Sequence, residues 1–335
     1  MSSPILVTKL FIPPTRSEFI SRPELLGRLN AGLDRKLTLI SAPAGFGKTT
    51  LVSEWVDSLR SDSSEKNQSD NKIAWISLDK DDNDPARFLT YFIAALKQAA
   101  GIREELAESL VGMLQSPQTP PTKDIVTAII NEGAGLASRL IVVMDDFHFI
   151  ESPFVNDTLT FLIEYLPPQL HLVIVTRDDP HLPLARLRGK GEMIELRAVD
   201  LRFTPAESTA FLQKKFGIQL SPDEIVGVDT YTEGWITGLH LVAVSLQGQE
   251  NARRAIQDLN GSHRFVLDYL LEEVLSQQSK ETQEFLMQTA VLSQLTGPLC
   301  DAVRFGTIEE DTHSGQEILA ELEHANLFII PLDNE

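Results

Sequence analysis

Ten residues, SAPAGFGKTT from Ser41 to Thr50, constrain this chain more than any other stretch. The apolar run KLTLIS, residues 36–41, leads into them. TTLVSEWVDSLR follows, with Leu51, Val52, Trp55, Val56 and Leu59 spaced as one helical face. A strand, a glycine-rich turn and an amphipathic helix in that order form a phosphate-holding unit. Gly45 and Gly47 allow backbone conformations that turn successive N–H groups inward. The following helix offers its positive end to an anion. Gly47-Lys48-Thr49 matches the close of the Gly-x4-Gly-Lys-Ser/Thr pattern, while Ala42 stands where the first glycine is expected. Alanine can serve there if its φ is negative. Ala44, Gly45, Phe46, Gly47, Lys48, Thr49 and Thr50 are the candidate nucleotide-binding residues. Lys48 would reach the β- and γ-phosphates, and the Thr49 hydroxyl would ligate Mg²⁺. The bland alternative is a plain glycine turn, and the strand before and helix after argue against it.

Further apolar runs read as strands at 72–78, 140–144, 170–175 and 192–196. They alternate with helical patterns such as ARFLTYFIAAL, DIVTAIINEGAGLA and TLTFLIEYLP. Strands alternating with helices predict an α/β fold, a five-stranded parallel sheet covered on both faces. From about residue 201 the chain turns mostly helical. Thr204, Pro205 and Glu207 form a capping-box start there. The long stretches 221–247 and 263–295 both read as helical. SDSSEKNQSDN and SPQTPPT read as loops.

Two more strand ends carry chemistry. IVVMDD places Asp145 as a candidate Mg²⁺ ligand and Asp146 as a candidate general base or water-orienting group. VIVTRDD places Arg177 where it could sense a γ-phosphate, with an ion pair to Asp178 or Asp179 as the ordinary alternative. The seven histidines show no metal-ligand spacing, and His148 reads as a loop residue. Trp55, Trp75 and Trp235 read as core. ARLRGKG, residues 185–191, reads as a solvated turn rather than an arginine finger for a neighbour. No Ser/His/Asp or Cys/His constellation suggests covalent catalysis.

Composition excludes several classes. With 29 basic and 48 acidic residues the formal charge is 29 − 48 = −19, which argues against DNA or an anionic membrane as the main partner of this stretch. No apolar run approaches the roughly 20 residues of a membrane helix. A lone cysteine, Cys300, gives no disulfide framework, and a cytoplasmic setting is expected.

LVTKLFIPPTRSEFISRPELLGRL, APAGFGKTT, WISLDKDDNDPARFLTYFIAAL, VVMDDFHFI, VIVTRDDP, LRFTPAES and TEGWITGLHL occur in this order along the chain. Together they resemble the MalT-like large LuxR-type regulators, which are STAND-class P-loop NTPases related to AAA+ ATPases. The resemblance covers essentially the whole chain. It implies a nucleotide-binding domain at 1–200, a helical lid at 201–262 and a winged-helix domain at 263–335. It implies ATP or ADP with Mg²⁺ as cofactors, and a sheet in which the Arg177 strand lies between the strands of Lys48 and Asp145. It also implies that Phe19, Ile20 and Arg22 lie near the adenine, and that Lys48, Asp145, Asp146 and Arg177 serve a slow ATPase. TEGWITGLHL lacks the proline usual at the centre of this motif, which makes a nucleotide contact there doubtful. The expected role is an ATP-dependent switch controlling self-association. Inducer and DNA would be bound by sensor repeats and a helix-turn-helix outside this stretch, which reads as a fragment. An ATPase whose turnover drives work is the alternative.

Overall fold

The computed structural model describes residues 5–15, 19–62, 71–116, 122–246, 268–306, 315–324, 327 and 329. Five strands form one parallel sheet: β1 (Leu37–Ser41), β2 (Lys72–Ser77), β3 (Leu140–Asp145), β4 (Leu170–Thr176) and β5 (Met193–Arg197). Their order is β2-β3-β4-β1-β5. The central strands β3, β4 and β1 are buried at every residue. That is why they read as unbroken apolar runs rather than alternating ones. Register pairs Leu37 with Leu172 and Ile40 with Val175 across β1 and β4. The strand carrying Arg177 at its tip does lie between those carrying the glycine loop and Asp145.

The helices of this region are α1 (Pro23–Gly32), α2 (Lys48–Asp62), α3 (Pro85–Gln98), α4 (Glu104–Leu114), α5 (Thr122–Ala134), α6 (Pro153–Glu164), α7 (Leu184–Lys190) and the single turn α8 (Ala198–Leu201). Helix α3 starts where Asp84 accepts the Arg87 N–H at 2.8 Å and Pro85 takes the first helical position. It buries Phe88, Tyr91, Phe92, Ile93 and Leu96 in a core shared with Leu39, Ile76, Val142 and Leu172. Burying these large side chains stabilises the sheet by about 1.5–3 kcal/mol each.

One charged network inside this core is fully paired. Lys9, nearly buried, bonds Asp79 at 3.0 Å and the fully buried Asp82, which also accepts from Arg87 Nε at 3.1 Å. That network ties the 3₁₀ turn Val7–Leu10 to the segment after β2. An unpaired Asp82 would be costly to bury, so the pairing is obligatory here.

The chain divides into two compact units, Met1–Ser41 with Gly47–Leu201, and Ala42–Phe46 with Arg202–Glu335. In the second unit α9 (Pro205–Phe216) carries the expected capping box, Thr204 with Glu207. A second box, Ser221 with Glu224, opens α10 (Pro222–Thr232), and α11 (Ile236–Leu246) follows. Farther on, helices Lys280–Thr289, Gly297–Phe305 and Gly315–His324 bury Phe285, Cys300, Ile318 and Leu322 in a cluster of their own.

Several expectations are corrected. The stretch 221–247 is helical as expected where it is described, but in two pieces, because Glu233 (φ +49°) and Gly234 (φ +71°) are left-handed and end α10. The stretch 263–295 is broken after Gln277 by extended Gln278, and Leu270–Val274 winds as a π-helix. The basic run 185–191 is helix α7 rather than a turn, closed by left-handed Gly191. Its arginines pair within the chain, Arg186 with Glu164 at 3.3 Å and Arg188 with Glu195 at 2.5 Å. Residues 63–70 and 117–121 of the two expected loops, and residues 247–267, lie outside the described residues.

Candidate functional site

The site grows from the C-terminal ends of three adjacent strands, where ligands of open α/β sheets bind. From β1 the chain runs through the glycine loop into α2, whose first residues are Lys48 and Thr49. Gly45 and Gly47 have φ of +80° and +74°, the conformations their lack of a Cβ permits. Ala42 is not among the residues with positive φ, so its methyl fits where a glycine was expected.

In the first unit, β3 ends at Asp145, which is 3 % exposed. The Thr49 hydroxyl donates to both of its carboxylate oxygens, at 3.1 and 3.0 Å. The Asp146 N–H also donates to Asp145 Oδ1, at 3.0 Å. A hydroxyl and a carboxylate thus face each other at the start of α2, the pair a hard divalent cation takes. Among the described residues no group of three or more His, Cys, Asp or Glu could hold a metal. A cation here would therefore complete its shell with phosphate and water oxygens.

These side chains act on one another's charge. Burial pushes the Lys48 ammonium down to about 8; Arg177 lowers it further, while Asp146, Asp145 and Asp178 oppose the shift. Burial, then the neighbouring Asp146, raise the Asp145 carboxyl to about 7, against the bonds from Thr49 and Asp146 and the field of Lys48. Asp146 is also raised by burial, with Arg177 and Lys48 pulling it back. Arg177, one residue past β4, therefore acts on Lys48 and Asp146 together. Asp179, one of its two expected partners, is instead held by Arg197 and Arg188. A cluster of mutually perturbed groups at a strand-end crevice marks a functional-site candidate.

The other expected residues are placed differently. Phe19 and Ile20 lie half-buried on the irregular segment before α1. Arg22 is buried, and its guanidinium donates to the Leu201 carbonyl at 2.8 Å and the Asp200 carbonyl at 3.3 Å. That side chain ties the segment to α8. Ala44, Gly45 and Phe46 group with the second unit. Thr50 is exposed.

Two features escaped the sequence reading. Trp55 and Trp75 are core, but Trp235 is only half-buried: its indole N–H donates to the Ala44 carbonyl at 3.0 Å. Thr237 grips the next carbonyl, Gly45 O, with its N–H and its hydroxyl, both at 3.1 Å. The second feature is His148, whose ring is buried beside the charged cluster. No periodicity signals either, since both depend on long-range placement.

A parallel sheet in this order, with a glycine loop leading from β1 into a Lys-Thr helix start and a buried aspartate ending β3, defines a P-loop NTPase fold. Comparison with known proteins narrows this class. Residues 271–335 match the family described as the MalT winged helix domain, and 14–177 match "Nephrocystin 3, N-terminal". The chain is 31 % identical over 334 residues to the HTH-type transcriptional regulator MalT of Cronobacter sakazakii, covering 98 % of this chain and 35 % of that protein. The regulator of the same name from Klebsiella pneumoniae strain 342 is also 31 % identical, over 335 residues and the same shares. A solved STAND protein with a tetratricopeptide repeat sensor, from Pyrococcus horikoshii, aligns at 19 % identity and a TM-score of 0.47, over 97 % of this chain and 41 % of its own. Nearly the whole chain is thus similar to MalT regulators, and its C-terminal side matches their winged-helix family. It spans about a third of the length of the curated relatives it matches. No helix among the described residues is long and apolar enough to cross a membrane.

Proposed function

We propose that this chain is the ATP-dependent switch module of a MalT-like, STAND-class transcription activator, working in the cytoplasm. The observation that carries the reading is the Thr49–Asp145 pair at the positive end of α2, with Lys48 beside it. In this reading Lys48 neutralises the β- and γ-phosphates, and backbone N–H groups of Ala44 to Thr50 cradle them. Thr49 and Asp145 hold Mg²⁺. Asp146 orients the attacking water and Arg177 answers the γ-phosphate. Phe19, Ile20 and the backbone at Arg22 border the adenine. The bound nucleotide supplies a phosphate charge that differs between ATP and ADP.

The working division is a nucleotide-binding domain at 1–200, a helical lid at 201–262 and a winged helix at 263–335. A ligand shifts such domains only as far as it binds their arrangements differently. Slow hydrolysis suits that task, because the state must outlast the signal. Self-association of the whole protein, driven jointly by ATP and an inducer, and DNA binding through other regions complete the proposal.

Thermal unfolding of nucleotide-stripped wild type and Lys48→Ala tests it, with and without Mg²⁺-ATP or Mg²⁺-ADP. Ligand at a hundred times its dissociation constant should stabilise wild type by about 2.7 kcal/mol. Lys48→Ala should lose that gain. An equal response of the two proteins, or none in wild type, sinks the reading.

A further inference from the structure

The sheet order leaves β2 at an edge, paired with β3 on one side only. Lys72 donates its N–H to the Arg139 carbonyl at 2.9 Å, and Leu78 donates its N–H to the Asp145 carbonyl at 3.0 Å. Alternate residues of a parallel strand face the same neighbour, so the even-numbered residues of β2 turn their backbone to β3. Ile73 and Trp75 therefore aim their N–H and C=O groups away from the sheet. Among the described residues nothing bonds those groups: the one bond of Trp75 outside the sheet is its indole N–H to the Ser77 hydroxyl, at 3.1 Å. Trp75 is also only 1 % exposed, so its main chain is shut off from bulk water. Buried backbone groups are nearly always paired, and an unpaired set calls for a partner.

A pocket of about 470 Å³ lies against this edge. Ile73 and Trp75 line one wall, and Leu10, Phe11 and Ile12 line another. The second wall is held by bonds of its own. The Leu6 N–H donates to the Tyr91 hydroxyl at 3.0 Å, Lys9 bonds Asp79 at 3.0 Å, and the Gln98 amide donates to the Leu10 carbonyl at 3.4 Å. None of these uses the β2 edge, so the strap stands beside the strand without pairing to it. Phe11 on this wall is 52 % exposed.

Charge says what the pocket can accept. Arg60, near the end of α2, and Lys72, the first residue of β2, both line it, and no acidic residue does. In a chain with 48 acidic and 29 basic residues that local reversal is selective. The Lys72 ammonium donates to the Ala100 carbonyl at 2.7 Å. Arg60 is exposed and has no carboxylate partner among the described residues.

We propose that this pocket is a strand-addition site. An extended segment of a partner protein, bearing acidic side chains, lays its main chain along Ile73 and Trp75 and sets a carboxylate against Arg60. Main-chain bonds give such a contact its affinity, and the flanking side chains give it selectivity. Strands β3 and β4 separate β2 from β1, and Lys72 opens its strand whereas Asp145 closes β3. The site is therefore independent of the nucleotide reading.

The probe is a fluorescein-labelled, amidated pentapeptide of alternating valine and glutamate, titrated into the whole chain and read by anisotropy. It should bind saturably and more weakly as salt is added. The same peptide with lysine for glutamate should bind about tenfold more weakly or worse, because like charges then meet. Arg60→Glu, an exposed change whose Tm should match wild type, should reverse that preference. Two further probes carry N-methyl groups on the valines or on the glutamates. One should lose binding and the other keep it, because only one set of N–H groups faces β2. Amide exchange at Ile73 and Trp75 should slow in the complex. Absence of saturable binding, equal loss with both methylated probes, unchanged exchange at Ile73 and Trp75, or an Arg60→Glu chain that still prefers the acidic peptide overturns the proposal. So does a chain that dimerises alone and becomes monomeric with Arg60→Glu, since a second copy would then be the occupant.

Discussion

His171 lies in the middle of β4 and is fully buried, yet both ring nitrogens are satisfied. Nδ1 stands 2.8 Å from the Arg35 carbonyl, which can only accept, so the proton sits on Nδ1. Nε2 then accepts from the Thr38 hydroxyl on β1, at 2.9 Å. Protonation would turn Nε2 into a donor and place a charge inside the sheet. Burial accordingly lowers its pKa from 6.5 to about 4, against the pull of the Arg35 bond. Between those values the unfolded chain binds more protons than the folded one. The contribution is complete above about pH 6.5 and is lost as the pH falls towards about 4, a change of about 3 kcal/mol. His171→Asn should be less stable than wild type at pH 7, and the gap should shrink by about that amount at pH 4. A gap independent of pH, read from urea titrations, would show that the ring titrates alike in the folded and unfolded chain and that its pKa is not lowered. The contrast with His148 shows what single residues conceal in sequence. Lys48, Thr49 and Asp145 were legible because each stands at a fixed offset from a strand end. Neither histidine was, since only the fold puts Arg35 and Thr38 around one ring and leaves the other ring without hydrogen-bond partners among the described residues.

At the scale of elements the five strands were readable to within a residue or two: burial on both faces makes the central β1, β3 and β4 largely apolar runs, and the partly buried edge strands β2 and β5 still carry enough apolar residues to show. Helix α7 was not, since seven residues with only Leu184 and Leu187 buried give too short a pattern. Helix α4 escaped too, its buried residues being just Ala107 and Leu110. The end of α10 was hidden because Glu233 adopts a left-handed conformation that its side chain does not advertise. The loop before α2 offers a sharper test of how elements fit. A Cβ on Gly45 would come within 2.5 Å of Thr237 Oγ1 and 2.8 Å of Trp235 Nε1, on top of a φ of +80°. Gly217, at φ +67°, has nothing within 4 Å. Gly217→Ala should therefore cost only the left-handed strain, about 1 kcal/mol. Gly45→Ala should cost about 2 kcal/mol or more, because strain and overlap add. Equal costs in parallel chemical denaturations would mean that Trp235 and Thr237 do not hold the loop tightly.

At the scale of the whole molecule the chain has more than one core. The α/β sheet buries the cluster containing Leu39, Phe88, Val142 and Leu172, whereas Val274, Phe285, Cys300, Ile318 and Leu322 form a cluster among the C-terminal helices. Chains with separate cores need not unfold in one step. Tryptophan placement makes the difference visible. Trp55 and Trp75 are buried in the first unit and Trp235 lies in the second, while the C-terminal cluster contains none. Phe285 is fully buried, so Phe285→Ala should destabilise its own cluster by about 3–5 kcal/mol. In urea, the variant should lose part of its far-ultraviolet helical signal at low denaturant, while the part of the tryptophan emission transition that comes from buried Trp55 and Trp75 stays where wild type shows it. If the two probes instead move together, the cores are coupled and the chain unfolds as one body. The ligand response then adds a second axis. Mg²⁺-ATP at saturating concentration should shift the tryptophan transition of both proteins alike, since Lys48, Thr49 and Asp145 belong to the unit that Trp55 and Trp75 report. A Phe285→Ala chain that no longer responds to nucleotide would place part of the binding energy in the C-terminal helices, and the switch would then have to be described as one site built by the entire chain.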